Sequence, residues 1–166
     1  MKNYNYSSRP LITQVENNTT LWIGHFLNDP ADHFAGQTFQ CPAAGVLDNI
    51  QLFSSAVPQP GKLELTLHEF DENTRSWGPA IGQAALQVNK TDDAQWIRFA
   101  MPAIPLVQGN NYGFRLQTPD AMIGLGEAAT GFKEPFNGQE WKADSINRQG
   151  FYYTYFSLTY KVELCA

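Results

Sequence analysis

The sequence predicts an all-β fold, a two-sheet antiparallel β-sandwich of the jelly-roll kind with about eight or nine strands and negligible helix. Apolar residues recur at a period of two wherever the chain is regular. In "KLELTLHEF", Leu63, Leu65 and Leu67 oppose Glu64, Thr66 and His68; in "FYYTYFSLTYKVEL", Phe156, Leu158, Tyr160, Val162 and Leu164 oppose Ser157, Thr159, Lys161 and Glu163. Helical periodicity is absent, and Gly, Pro and Asn clusters punctuate the runs. A lone strand leaves its apolar face in water, so the last strand requires a second sheet over it, supplied by the earlier segments.

The 166 residues, 43% hydrophobic and 13% aromatic, suffice for one sizeable core. Residues 1–20 read as an N-terminal arm or edge strand around Leu11 to Val15, and residues 21–166 as a single β-sandwich domain. "LWIGHFLNDPADHF" contributes the apolar anchors Trp22, Ile23 and Phe26. Its His25, Asp29 and His33 would share a helix face, but Pro30 breaks such a helix, so these and Asp32 are expected as loop residues rather than metal ligands. "GQTFQCP" is a strand stopped by Pro42; "VLDNIQLFSS" is another, with Val46, Ile50 and Leu52 inward, followed by the loop "VPQPG". After "KLELTLHEF", with His68 outward and either satisfied or solvated rather than catalytic, "DENTRSWGP" is a polar loop carrying Trp77 ahead of "AIGQAALQV". "QWIRFAMP" sets Ile97 and Phe99 against Trp96 and Arg98. Gly109, Asn110 and Asn111 form a turn into a strand that sets Tyr112, Phe114 and Leu116 against Gly113, Arg115 and Gln117. "MIGLG" is a short strand, and "EAATGFKEPFNGQEW" is a Gly-rich loop running into Trp141. Cys41 and Cys165 are expected as two inert, buried, unbridged thiols.

Several function classes fall away on composition. The formal net charge is −5 with Lys and Arg scattered, so there is no footprint for nucleic acid. No apolar run reaches the roughly 18 residues of a membrane span. The opening lacks the apolar core of an export signal, which makes the cytoplasm the expected compartment. Hydrolase and nucleotide-binding motifs are absent, and the chain is expected not to be an enzyme.

The order of "GQTFQCPAAGVLDNIQLFSS", "GKLELTLHEFD", "LVQGNNYGFRLQTP" and "EPFNGQEW" resembles bacterial jelly-roll modules of the galactose-binding-like, carbohydrate-binding-module type. The matching positions are Gln37 to Phe39, Ile50 to Leu52, Leu63 to Asp71, then Leu106, Gly109 and Tyr112, and finally Pro135, Phe136, Gly138 and Trp141. The resemblance covers about residues 36–164 and implies a non-catalytic, usually exported, glycan-binding domain.

A glycan-binding module is therefore the leading expectation. Its ligand-binding residues are expected to be Trp77 with Arg75, Asp71 and Asn73 in the polar loop, together with Trp141 and Tyr153. A flat indole face suits the apolar side of a sugar ring, and acids, amides and guanidinium supply hydrogen bonds to hydroxyls. The first alternative is a structural or protein-interaction domain that forms homo-oligomers through exposed aromatics such as Trp96. The second is a glycosidase using two carboxylates from Asp71, Glu72, Glu134, Glu140 and Asp144. No cofactor is implied. Asp71, Glu72, Asn73, Asp92 and Asp93 offer hard oxygen ligands for a structural calcium, without the spacing of an EF-hand.

Overall fold

A computed structural model describes residues 7–130 and 135–166. Their regular structure is β throughout, apart from one short 3-10 turn, Lys90–Asp92. The strands are β1 (Ser8–Gln14), β2 (Thr19–His25), β3 (Asp32–Gln40), β4 (Gly45–Gln59), β5 (Gly61–Asp71), β6 (Ser76–Val88) and β7 (Gln95–Ala100). They continue with β8 (Pro105–Leu106), β9 (Asn111–Gln117), β10 (Met122–Ala129), β11 (Glu140–Asp144), β12 (Phe151–Tyr153), β13 (Phe156–Leu158) and β14 (Tyr160–Cys165). All pairings are antiparallel, and the main path runs β1-β14-β4-β10-β2-β3-β9-β5-β6, curled into a half-barrel. The 14 strands exceed the expected number because β8, β12 and β13 are two- or three-residue pieces and the chain breaks between β13 and β14.

Two hand-overs curl the sheet. The first part of β4 pairs with β14 on one side and β7 on the other, whereas its end, from Ser54 to Gln59, pairs with β10. Likewise β13 pairs with β10, and after Thr159 the chain continues as β14 beside β4. Both segments therefore turn from one part of the path onto the other, and the alternating apolar faces meet inside. Leu63, Leu65 and Leu67 of β5, Tyr112, Phe114 and Leu116 of β9, and Ile97 and Phe99 of β7 are all buried there, with Leu158, Tyr160, Val162 and Leu164 from the end of the chain. The period-two reading of these segments holds.

The structure corrects several local readings. Leu47 rather than Val46 points inward, because β4 carries an extra residue at Asp48: Asn49 pairs with Glu163, but Leu47 pairs with Leu164. Such a bulge shifts every residue before it to the other face. "VPQPG" is not a free loop, since β4 continues through Val57 to Gln59. Trp77 lies on a strand, because β6 begins at Ser76 and Trp77 pairs with Phe70. His68 does face outward, beside Thr66 and Phe70, yet it is buried. Trp96 is half-buried between Phe53, edge-on at 5.6 Å, and the ammonium of Lys161 at 4.1 Å, so it is no open aromatic face. Both cysteines are free thiols; Cys41 is buried, but Cys165, at the open end of β14, is exposed.

Residues 8–14 form the edge strand expected near Leu11, laid along β14 from Gln14↔Tyr160 to Ser8↔Cys165. Gly109 adopts a positive φ of 87° in the turn before β9, where its amide donates to the Cys41 carbonyl at 2.8 Å. Glycine reaches that conformation without a Cβ clash, as the turn reading required.

Candidate functional site

The outward face of β12, β11, β3, β9 and β5 carries one continuous cross-strand row. Tyr152 pairs with Trp141, Trp141 with Gly36, Gly36 with Arg115, and Arg115 with Thr66. The neighbouring row runs from Thr38 through Gly113 to His68. Two glycines thus occupy outward positions on adjacent central strands. A Cβ on Gly113 would stand 2.6 Å from the Trp77 ring, and one on Gly36 would stand 3.0 Å from the Trp141 ring. Their missing side chains leave the floor on which both indoles rest.

Aromatic contacts fix these rings. Trp77 meets Trp141 at 5.5 Å between centroids, Phe70 at 5.0 Å and His68 at 5.6 Å, all edge to face. Such pairs add to the burial energy and define orientation. The Trp77 Nε1–H donates to the Tyr152 hydroxyl at 2.8 Å, and Trp141 Nε1–H donates to the Gln149 carbonyl at 2.8 Å. The guanidinium of Arg115 lies over both indoles, its Cζ 4.4 Å from the Trp77 ring centre and 5.0 Å from that of Trp141. Each π-face stabilises the cation without using its N–H edges.

His68 completes the floor. Its Nδ1 lies 2.8 Å from the Gly78 carbonyl oxygen and its Nε2 2.8 Å from Thr66 Oγ1. Burial, with a further contribution from the charge of Arg115, holds its pKa below the ordinary histidine value. The neutral ring therefore donates from Nδ1 and accepts the Thr66 hydroxyl proton at Nε2.

Over this floor lie two cavities that share Arg115 and Arg148. The first, about 280 Å³, is lined by Phe34, Trp141, Glu64, Thr66 and Gln117 as well as the arginines. The second, about 590 Å³, is lined by Arg75, Trp77, Gln149 and Tyr152 together with the same pair. Arg148 itself sits over Phe34, 5.6 Å from the ring centre. The result is a groove with aromatic walls and planar polar groups along its length.

The expected ligand-binding residues divide into three groups. Trp77 and Trp141 come together in the groove. Arg75 reaches its rim, with its Cζ 5.6 Å from the centre of the Tyr152 ring. Asp71 and Asn73 stay in the exposed β5–β6 turn, where the Asp71 carboxylate accepts the amide protons of Asn73 and Thr74 at 2.9 and 3.2 Å. They border an acidic hollow with Glu69, Glu72 and Trp77, so the expected grouping of Trp77 with Asp71 and Asn73 is met in this hollow, while Trp77 also lines the second groove cavity. Tyr153 lies on the face opposite Trp141, beside Phe156 and Lys142.

The carboxylates weighed for hydrolysis are likewise dispersed. Asp144 accepts the amide protons of Ile146 and Asn147 in a turn, and Glu134 lies outside the described residues. Glu140 is fully buried beside Glu127, with Lys142 Nζ 3.1 Å from Glu127 and 3.7 Å from Glu140. Burial first, then the hydrogen bond and charge of Glu127, push the Glu140 carboxyl up to about 9. It keeps its proton at neutral pH, and neither glutamate lines the groove cavities.

The oxygen groups considered for calcium lie at opposite ends of β6. Asp71 pairs with Ser76 at its start, whereas Asp92 and Asp93 follow Val88 at its end. His25 and Asp32 pair at 2.9 Å and His33 and Asp29 at 2.7 Å, as separate couples. Among the described residues no three His, Cys, Asp or Glu side chains converge to hold a metal ion. No helix among them is long and apolar enough to cross a membrane.

Sequence reasoning did not single out Phe34, Arg115 and Arg148. The available signal was the pair of outward glycines, Gly36 and Gly113, which reserve space above the sheet for large side chains. No family model matches this chain, and no curated protein matches it.

Proposed function

We propose that the chain is a non-catalytic glycan-binding module of the jelly-roll β-sandwich type, holding a saccharide in the groove across β11, β3, β9 and β5. The observation that carries this is the outward row Tyr152–Trp141–Gly36–Arg115–Thr66, in which two flat rings are followed, across a glycine, by a guanidinium and a hydroxyl on strands locked by cross-strand pairing. A sugar ring has an apolar face and a rim of hydroxyls. It fits walls of mixed character, apolar with a few placed polar groups. Thr66, Gln117 and Glu64 supply the acceptors and donors, while Phe34 supplies the apolar contact, backed by the buried Trp141. The first cavity, about 280 Å³, has the size for one sugar unit, just below the roughly 300 Å³ at which small-molecule pockets usually begin.

The double turn of β4 and of the β13–β14 segment supports the sandwich reading, because both carry the chain from one part of the path onto the other across a shared core. Binding rather than hydrolysis is supported by the acids: Glu64 is the one carboxylate lining the first cavity among the described residues, whereas glycoside cleavage uses two.

The test is a glycan array followed by titration calorimetry on the best-retained saccharide. Glu64→Ala combined with Gln117→Ala removes two groups at the solvent edge of the groove and is expected to weaken binding about tenfold or more with little change in melting temperature. Retention of no saccharide, or an affinity unmoved by the double change, would turn the reading to a protein-interaction domain.

A further inference from the structure

We infer that the saccharide held in this groove is acidic, and that Arg115 and Arg148 take the carboxylate of a uronic acid unit. The inference rests on the glycan reading and adds the chemical class of the ligand. In a chain of net charge −5, the groove concentrates positive charge: Arg115 and Arg148 line both cavities and Arg75 stands at the rim of the second. None of the three makes an ion pair among the described residues; Arg9, Lys90 and Lys161 make none either, but these line neither cavity. The one acid at the first cavity, Glu64, is engaged by Lys62 at 3.2 Å and by the Gln117 amide at 3.1 Å.

Arg115 is the more telling of the two guanidiniums. It is half-buried, and its Nε is cut off from water with no hydrogen-bond partner. Burial lowers its pKa, so the site bears a cost for keeping this cation partly out of solvent. The Trp77 and Trp141 rings, their centres 4.4 and 5.0 Å from its Cζ, hold the cation without taking up its N–H donors, which remain to meet a ligand. A planar fork presented by its edge matches a planar carboxylate in two parallel hydrogen bonds. Arg148, placed over Phe34 across the same cavities, supplies the second cation from the solvent side.

Neutral sugars need no such pair. The structure of the groove therefore distinguishes acid from ester.

The experiment compares uronic acid oligosaccharides with their methyl esters, and with sulfated and neutral oligosaccharides of similar length, by titration calorimetry against the folded chain. The free acids are expected to bind at least about tenfold tighter than their esters, with affinity falling as salt rises. Arg148→Gln, an exposed change, is expected to remove most of that preference by weakening acid binding more than ester binding, with the melting temperature little changed. Arg115→Lys keeps the charge but loses the fork, and is expected to weaken acid binding by a similar factor. Equal affinity for acid and ester, or an acid preference intact in Arg148→Gln, would overturn this inference and leave the glycan reading standing. Tighter binding of sulfated chains would also overturn the carboxylate assignment. Binding of none of the four classes, alongside a silent glycan array, would overturn both.

Discussion

Trp77→Ala is expected to destabilise the protein by about 3 to 5 kcal/mol, the range for removing a large aromatic side chain from packed surroundings. The indole is only half-buried, but it is the hub of the outward cluster. It touches Trp141, Phe70 and His68 through edge-to-face contacts, covers Gly113, and supports the cation of Arg115. Truncation would open a space over a glycine that has no side chain to fill it, and would strip Tyr152 of the indole hydrogen bond. The measurement is a urea melt of both proteins. A loss below about 1 kcal/mol would mean that Trp77 is a displaceable ligand contact instead of a structural hub. Any effect of Trp77→Ala on saccharide binding must therefore be judged against this loss, and the groove is better probed at its solvent edge.

Glu140→Gln is expected to change how stability depends on pH. In the folded chain the Glu140 carboxyl is pushed up to about 9 from an ordinary 4.5, chiefly by burial and then by Glu127. Between those two values the folded protein holds a proton that the unfolded chain releases. Stability from this group is therefore complete below about pH 4.5 and is lost as pH rises toward about 9. The slope is about 1.4 kcal/mol for each pH unit inside that window. Glutamine, neutral and of the same shape, removes the titration. Relative to the parent, the variant should gain roughly 3 to 4 kcal/mol of stability between about pH 5.5 and pH 8. Denaturant midpoints across that range check it, and parallel pH profiles for the two proteins would contradict it.

The all-β character was legible because its signal is local. Leu63, Leu65 and Leu67 declare a half-buried strand within a few residues, and the alternation of Tyr112, Phe114 and Leu116 does the same. What depends on distant pairing was not. The inward turn of Leu47 follows from a bulge opposite Glu163 and Leu164, more than a hundred residues away in sequence, and no pattern within β4 announces it. The burial of His68 is a further case. Its place in a strict alternation puts it outward, yet Trp77 and Gly78 return along β6 to cover it.

The site shows the same division. Trp77 and Trp141 could be singled out because large aromatics in polar or glycine-rich surroundings ask for an explanation. Arg115 could not, since an arginine on the outward side of an alternating strand is the usual solvated choice; only the pairing of five strands from β11 to β6 brings two indoles beside its guanidinium. Asp71 and Asn73, close to Trp77 in sequence, share an acidic hollow with it but line neither groove cavity, because the tight turn closed on the Asp71 carboxylate holds them there.

We propose that saccharide binds on the outward face of β11, β3, β9 and β5. Nuclear magnetic resonance titration of the isotope-labelled chain with the best saccharide from the array tests it most directly, because the backbone amides and the 4 indole N–H groups report position. Shifts are expected at the amides of Gly36, Thr66 and Arg115 and at the Trp141 indole, with the Trp22 and Trp96 indoles unmoved. Shifts centred on the β5–β6 turn or on the Trp96 face, with the groove amides silent, would contradict it.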